Sequence, residues 1–307
     1  MTVSAAMVKE LREISGAGMS ACKDALVEAS GDIKRAVEVL REKGLATAAK
    51  KAGRIAAEGL VAVALSPDNK KGAIVEVNSE TDFVAKNEDF VTFVTNMSKQ
   101  ALESSATTVD TLLAEKWIAD PSQTAQEVLV QKVSTIGENL GLRRFERYEA
   151  GANGVIVQYM HGGAPVGGRV AVMLELATAE VNDSIIEAGR NLCMQIAAMS
   201  PLFVARKDVP EDFIAKEKEI LLQQAINEGK PENIAEKMVE GRLKKNLVAM
   251  CLLEQEYVRE ADMTCAQYIA SVGEGITVKR FKRYETGEGV EKKVEDFAEE
   301  VNKAMGK

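Results

Sequence analysis

One nine-residue segment occurs twice in this chain, and the repeat constrains the fold more than any local pattern does. RRFERYEAG at 143–151 reappears as KRFKRYETG at 279–287. Each copy follows two runs rich in β-branched residues, which lie at 59–66 and 72–77 in the first half and at 154–161 and 168–176 in the second. Each pair of runs is joined by a loop with Gly or Pro, so each pair predicts a β-hairpin.

Helical periodicity fills the chain between each hairpin and its copy of the repeat. Apolar residues recur at helical spacing from Phe90 to Ala101 in the first half and from Ile185 to Ile196 in the second. A further helical stretch, from Leu129 to Leu140, precedes the first repeat segment. The predicted order is β-β-α-α-β twice over, which indicates an α+β fold with antiparallel sheets that arose by duplication.

The second half of the core, 152–287, is longer than the first, 58–151, and we place an insertion at about 208–247. Asp208-Val209-Pro210 is typical of a helix start, and Gly229-Lys230-Pro231 is typical of a turn. The helices on either side carry narrow apolar seams, formed by Phe213, Ile220 and Leu221 and by Ile234, Met238 and Leu243. Two such helices around a tight turn predict an antiparallel coiled-coil hairpin.

Helical segments also flank the duplicated core. Residues 1–57 predict three short amphipathic helices, the third capped by Asp32 and ending at Gly44, followed by a helical or flexible linker from 46 to 57. Residues 288–307 predict one amphipathic helix, with an apolar face formed by Val290, Val294, Phe297, Val301 and Met305.

Charge and cysteine content narrow the function classes. The chain has 39 Lys and Arg against 47 Asp and Glu, a net charge of −8, so we expect no direct binding to nucleic acid. No apolar run approaches the roughly 18 residues of a membrane span, so we expect no membrane partner. The four cysteines form no C-x-x-C pair, and the N-terminal residues lack the apolar run of a signal peptide. We therefore expect reduced thiols and a cytoplasmic location.

Candidates for catalysis are few. His161, the single histidine, ends a predicted strand before Gly162, a place where active-site residues are often presented. No nucleophile is tied to it, and Cys193 falls on the apolar face of a predicted helix. The glycine-rich phosphate-binding motifs and the Cys/His clusters of metal sites are missing from the sequence. We therefore expect a protein that is not an enzyme and holds no cofactor or metal.

The connection from Ser79 to Asn87 is more informative. Asn87 is placed to cap the helix that begins near Glu88, which puts Asp82 and Phe83 between a strand and a helix. Two interpretations are open. Phe83 turns inward as core and Asp82 caps locally, which the pattern alone favours, or an exposed Phe83 beside a carboxylate is a rigid anchor for a partner.

Three segments resemble signatures of the bacterial elongation factor Ts family, the guanine-nucleotide exchange factors of the translational GTPase elongation factor Tu. They are LREISGAGMSACKDAL at 11–26, NSETDFVAKN at 78–87 and GKPENIAEKMVEGR at 229–242. The similarity runs nearly end to end. It implies an N-terminal ubiquitin-associated-like module, a coiled-coil insertion that contacts a further part of the partner, and exchange activity without a catalytic residue or cofactor.

The same resemblance implies which residues bind the partner. Thr81, Asp82, Phe83 and Val84 lie in the matching loop; Asp82 and Phe83 would contact the GTPase domain near its magnesium and phosphate site, with Phe83 between two helices. His161, within Tyr159-Met160-His161-Gly162, matches the interface histidine of a Y-x-H-G motif. The helix around Phe297 and the N-terminal module would also hold the GTPase domain.

Only the first half carries the loop motif, because Ala177 to Val181 stand where the first half has Ser79 to Phe83. We therefore expect one site on a duplicated scaffold. Two other function classes remain open. A generic adaptor would bind proteins, for instance ubiquitin-like ones, through the three-helix module, the coiled coil and the terminal helix, and a hydrolase would use Cys193 or His161.

Overall fold

The structure is a computed structural model that describes residues 3–162, 167–229 and 231–291, with only the backbone of residues 232 and 233. It combines helices with antiparallel sheets, as the predicted α+β class requires. The predicted C-terminal helix, including Phe297, lies outside the described residues.

Three helices form the N-terminal region: α1 (Ala5–Ser15), α2 (Met19–Glu28) and α3 (Ile33–Lys51). They share a small apolar core formed by Leu11, Cys22, Ala25, Leu26, Ala29, Ala36 and Val39. The Asp32 carboxylate accepts a hydrogen bond from the Arg35 amide, so the predicted cap of α3 is confirmed. Ile14 and Met19, which the spacing places on the apolar faces, are instead 57% and 60% exposed.

The prediction that α3 ends at Gly44 is wrong, because the helix continues to Lys51. A Cβ at Gly44 would make only ordinary contacts with the side chains of Val130 and Ser134, at 3.8 and 3.9 Å, so packing does not require glycine at this position. The segment after Gly44 is rich in alanine and lysine, which favour helix and offset the roughly 1 kcal/mol cost of the glycine.

The first half of the core contains both predicted strands of the hairpin and the strand of the first repeat segment. Its elements are β1 (Glu58–Leu65), β2 (Lys71–Ser79), α4 (Glu88–Glu103), α5 (Val109–Ala114), β3 (Lys116–Trp117), β4 (Asp120–Thr124), α6 (Ala125–Ile136) and β5 (Gly141–Glu149). β2 pairs antiparallel with both β1 and β5, so the sheet order is β1-β2-β5.

The second half repeats this plan, except that two longer helices lie where the first half has α5. Its elements are β6 (Gly154–His161), β7 (Val170–Ala177), α7 (Asp183–Met199), α8 (Glu211–Asn227), α9 (Glu232–Met250), β8 (Glu256–Tyr257), β9 (Glu260–Thr264), α10 (Cys265–Val272) and β10 (Thr277–Glu285). β7 pairs antiparallel with both β6 and β10, so the sheet order is β10-β7-β6. Both hairpins and both repeat strands of the prediction are confirmed.

The predicted β-β-α-α-β order omits α5 and two short hairpins, β3–β4 and β8–β9. Each hairpin leads into a helix that begins at a threonine in a capping box, Thr124 with Glu127 and Thr264 with Gln267. The T-x-x-E and T-x-x-Q signals are readable in the sequence, and they mark where α6 and α10 begin.

The two sheets face each other, and helices cover their outer faces. Residues of β1 alternate between these layers: Leu60 and Ala62 pack with α4 in the first core, whereas Val61 and Val63 lie in a layer between the sheets. The second sheet meets this layer through Ile156.

The inserted helices α8 and α9 pack against one another. Two residues of the predicted seams, Ile220 and Ile234, are 42% and 48% exposed. The buried residues of the pair include Leu221, Ala225, Ala235 and Val239. The two alanines allow the helices to approach closely. At the base of the pair, Val209, Leu247 and Cys251 form a separate small core.

Candidate functional site

The candidate site is the connection between β2 and α4, residues 80–86, which we call the Phe83 loop. Ser79 is the last residue of β2, and Asn87 caps α4 by accepting a hydrogen bond from the Phe90 amide at 3.2 Å. The predicted cap is therefore confirmed. Rigid elements bound the loop on both sides.

Phe83 points away from the protein. Its side chain is 78% exposed, the highest value among the large exposed hydrophobic residues that the structure describes. The interpretation in which Phe83 joins the core is therefore wrong. Nor does Asp82 cap a helix: its carboxylate lies 3.8 Å from the Lys86 ammonium, in an exposed pair that contributes little stability.

Val84 has the opposite orientation. It is 6% exposed and belongs to the core beneath the first sheet. It also begins a single 3-10 turn, Val84–Lys86, in which the Asn87 amide donates to the Val84 carbonyl at 2.9 Å. Of the four loop residues named from the sequence, Val84 therefore anchors the loop, and Asp82 and Phe83 form its tip.

Thr81 is held from a distant part of the chain. Its amide and its hydroxyl donate to the two carboxylate oxygens of Glu138, at 2.9 and 2.6 Å. Its carbonyl accepts from the Ser79 hydroxyl at 2.9 Å. Thr81 therefore fixes the backbone immediately before the tip.

Glu80 links the loop to the segment between α3 and β1. Its carboxylate accepts from the Asn139 amide at 2.6 Å and lies 3.3 Å from the Arg54 guanidinium. The Asn139 side chain in turn donates to the Arg54 carbonyl at 2.8 Å. Glu138, Asn139 and Arg54 were not identified from the sequence, because no local pattern links them to residues 80 and 81.

The second half has a shorter connection at the equivalent place. The Thr178 hydroxyl donates to the Glu180 carbonyl at 2.6 Å, as Ser79 does to Thr81, and Asn182 caps α7 as Asn87 caps α4. Three residues separate Thr178 from Asn182, whereas seven separate Ser79 from Asn87. The alignment of Val181 with Phe83 is therefore wrong, because the first half contains four additional residues that build the tip and the turn after it.

His161 lies at the end of β6, and its side chain is exposed. Its Nδ1 is 2.8 Å from the Tyr159 hydroxyl. Its carbonyl accepts from the Arg169 amide, and the adjacent Gly168 exchanges two backbone hydrogen bonds with Val61 of β1. These contacts connect the end of β6 to β1 of the first half. β1 pairs with β2, and the Phe83 loop follows β2.

The described residues do not form a catalytic centre from Cys193 and His161. Cys193 is fully buried, and its thiol contacts the Val157 carbonyl at 3.7 Å, whereas His161 bonds to Tyr159. Burial raises the pKa of the Cys193 thiol far above its usual range. A thiol that is both buried and neutral is a poor nucleophile.

Two further properties hold for the described part of the chain. No group of three or more His, Cys, Asp or Glu side chains is arranged to hold a metal ion. None of its helices combines the length and apolarity needed to cross a membrane.

Comparison with known proteins identifies similar chains over the full length. A family model described as elongation factor TS matches residues 80–288. The chain is 52% identical to the elongation factor Ts of Clostridium botulinum (strain Alaska E43 / Type E3) over 309 residues, which cover 99% of this chain and 100% of that protein. It is 51% identical to the elongation factor Ts of Clostridium perfringens (strain 13 / Type A), again over 99% and 100%. The elongation factor Ts of Clostridium kluyveri (strain NBRC 12016) is 52% identical over 99% of each chain.

Proposed function

Because the chain belongs to the elongation factor Ts family, we propose that it binds the translational GTPase elongation factor Tu and accelerates the release of GDP during translation elongation. The protein acts as an exchange factor, without a nucleophile, metal or cofactor of its own. Its effect comes from the difference between its affinities for the nucleotide-free and GDP-bound forms of the partner.

The observation that carries this proposal is the exposed tip of the Phe83 loop. Phe83 is 78% exposed, yet the residues on either side of the tip are held by Glu138 and by the burial of Val84. An aromatic side chain that protrudes from a fixed backbone suits insertion into an apolar crevice of a partner. We assign Phe83 to a crevice between two helices of the GTPase domain, with Asp82 beside the magnesium and phosphate site.

Linkage explains how such an insertion releases GDP. If the exchange factor binds the nucleotide-free GTPase more tightly than the GDP complex, GDP must bind more weakly whenever the factor is present. A displacement of about an ångström at helices that orient phosphate and magnesium donors weakens charge-assisted hydrogen bonds worth about 1.5–3 kcal/mol each. Loss of a few of these contacts speeds release by orders of magnitude.

Other regions extend the contact with the partner in this proposal. His161 adds a polar contact, and Thr81 contributes through the backbone before the tip. Residues 1–57, as a ubiquitin-associated-like module with its linker, and residues 288–307 around Phe297 hold the GTPase domain. The core halves 58–151 and 152–287 carry the site, and the α8–α9 pair, within about 208–247, acts as a coiled coil on another part of the partner.

The test is the release of a fluorescent GDP analogue from elongation factor Tu, measured with wild type and with Phe83→Ala. We expect wild type to accelerate release and folded Phe83→Ala to lose most of that acceleration. Well-folded wild type without any effect on release would contradict the proposal. A stable complex with a different protein, formed without the GTPase, would then favour the adaptor alternative.

A further inference from the structure

The Phe83 loop and the turn after α6 hold each other through two adjacent residues on each side. Glu138 accepts two hydrogen bonds from Thr81, at 2.9 and 2.6 Å, while Glu80 accepts one from the Asn139 amide at 2.6 Å. Each side of the contact therefore supplies one glutamate acceptor, Glu80 from the loop and Glu138 from the turn after α6. Hydrogen bonds to ionised carboxylates are shorter and stronger than those between neutral groups.

Glu138 has a rigid support. It follows Gly137, which ends α6 in the left-handed conformation, with φ of 85°. Val128, Leu129 and Val133 of α6 are buried in the same core that receives Val84. Glu138 is itself half-buried, so its carboxylate is partly shielded from water. The position of the Thr81 backbone is therefore tied to the core through a packed helix.

Phe83 needs such support because its own ring is not packed. The side chain is 78% exposed, and the Lys86 ammonium lies 6.0 Å from the centre of the ring, so the direction of the ring depends mainly on the backbone of the loop. A tip held in its binding orientation before contact loses less conformational entropy on association. We propose that Glu138 is a positioning residue of the exchange reaction, which fixes Thr81 and so presents Phe83 to the GTPase. This role rests on the exchange activity proposed above.

The second half of the core supports this role by contrast. Gly273-Glu274 follows α10 at the same place in the sequence as Gly137-Glu138 after α6, but Gly273 is extended, with φ of 173°, whereas Gly137 is left-handed. Within the described ranges, the Glu274 side chain is exposed and makes no hydrogen bond or ion pair. The connection after β7 has no aromatic tip. The carboxylate at this turn is thus engaged only in the half that carries Phe83, and Glu274 provides a matched control.

The main experiment measures GDP release from elongation factor Tu as a function of the concentration of the full-length protein. We expect Glu138→Ala to lower kcat/KM about 10-fold, the effect of losing charge-assisted hydrogen bonds at one site, while the protein remains folded with a modest fall in Tm. Glu274→Ala should match wild type. Thr81→Val, which removes the hydroxyl donor but conserves volume, should lower kcat/KM in the same direction as Glu138→Ala and to a smaller extent.

A double-mutant cycle of Glu138→Ala and Phe83→Ala tests whether Glu138 affects exchange through Phe83 or through the general stability of the protein. If Glu138 acts through Phe83, Glu138→Ala has almost no further effect on the residual activity of Phe83→Ala. A full 10-fold loss in that background would overturn the positioning role, and so would wild-type activity in Glu138→Ala. Wild type that fails to accelerate release would instead remove the proposed function.

A second measurement requires no partner. Hydrogen exchange of the Thr81 amide in the free protein should be at least about 10-fold faster in Glu138→Ala than in wild type, because its acceptor is lost. Glu274→Ala should leave it unchanged. Equal protection of the Thr81 amide in wild type and Glu138→Ala would show that the loop is ordered by other contacts, and the positioning role would be rejected.

Discussion

The Arg144 guanidinium lies over the ring of Tyr284, 4.1 Å from its centre. The equivalent residues of the two repeat segments make the reciprocal contact, with Arg280 4.0 Å from the centre of the Tyr148 ring. The segments RRFERYEAG and KRFKRYETG therefore face each other across the two sheets. The basic and aromatic side chains of the two segments therefore pack against each other within the chain, through cation–π contacts.

Arg144 and Arg280 also bind glutamates at equivalent positions, Glu76 and Glu175, which differ in their environments. Glu76 is fully buried and accepts hydrogen bonds from Arg143, Arg144, Asn78 and the backbone amide at 287. We expect Glu76→Gln to lower the free energy of unfolding by about 2–4 kcal/mol, because the arginines lose their buried counter-charge. Urea unfolding measures the change.

Glu175→Gln is the matched control for that substitution. The Glu175 carboxylate accepts from Arg280 at 2.6 Å, and the Arg280 side chain is 46% exposed, so water can replace part of this interaction. We expect a loss of about 1 kcal/mol. Equal losses for the two glutamates would contradict the conclusion that the Glu76 network is the more important one.

The last glycines of the two repeat segments, Gly287 and Gly151, should differ in how much stability is lost when each is replaced by alanine. Gly287 has φ of +72°, and a Cβ there would lie 2.0 Å from the Ala57 carbonyl oxygen. Gly151 has no positive φ, and a Cβ there would point into open space, with no atom of a non-adjacent residue within 4 Å. Gly287→Ala should destabilise the protein by more than about 2 kcal/mol, whereas Gly151→Ala should change stability by less than about 1 kcal/mol. Thermal unfolding of both variants measures the difference. Similar changes in Tm for Gly287→Ala and Gly151→Ala would contradict this expectation.

Two phenylalanines seven positions apart test the orientation of the Phe83 loop. Phe90 is completely buried, so Phe90→Ala should cost about 3–5 kcal/mol through the cavity it leaves. Phe83→Ala removes an exposed ring and should change stability by less than about 0.5 kcal/mol. Chemical denaturation of both variants checks the contrast. A large loss for Phe83→Ala would place its ring in the core.

Buried phenols and thiols predict a decline of stability at alkaline pH. Burial raises the pKa values of Tyr148, Tyr257 and Cys265 to about 12. In the unfolded chain these groups ionise near roughly pH 10 for tyrosine and 8.5 for cysteine. Between those values and about 12 the folded protein binds more protons than the unfolded chain, so the free energy of unfolding falls as pH rises.

The stabilising effect of these groups is therefore fully present below about pH 8.5 and is lost progressively up to about pH 12, with a slope of up to about 1.4 kcal/mol per pH unit for each group. Urea unfolding at a series of pH values measures the decline. Tyr148→Phe removes one of the groups and should give a shallower slope. A slope unchanged by this substitution would exclude Tyr148 as a contributor.

Much of the fold follows from repeated sequence patterns. Both hairpins, both repeat strands and the caps at Asp32 and Asn87 were predicted, because alternation and capping signals are local. The end of α3 is predicted wrongly, because the helix-favouring alanine and lysine residues after Gly44 outweigh the cost of that glycine. The predicted seams of α8 and α9 include Ile220 and Ile234, which are exposed, because spacing alone does not show that Ala225 and Ala235 are buried instead.

For the candidate site, the residue pattern places the loop between a strand and a helix, and its motif indicates the family. The outward direction of Phe83 and the inward direction of Val84 are visible only in the folded chain, and the direction of Phe83 contradicts the interpretation that the pattern alone favours. Periodicity reports burial within regular elements, whereas side-chain directions in a connection depend on contacts from elsewhere in the chain. Here the deciding contact joins Thr81 to Glu138, 57 residues away, and no local pattern in the sequence encodes it.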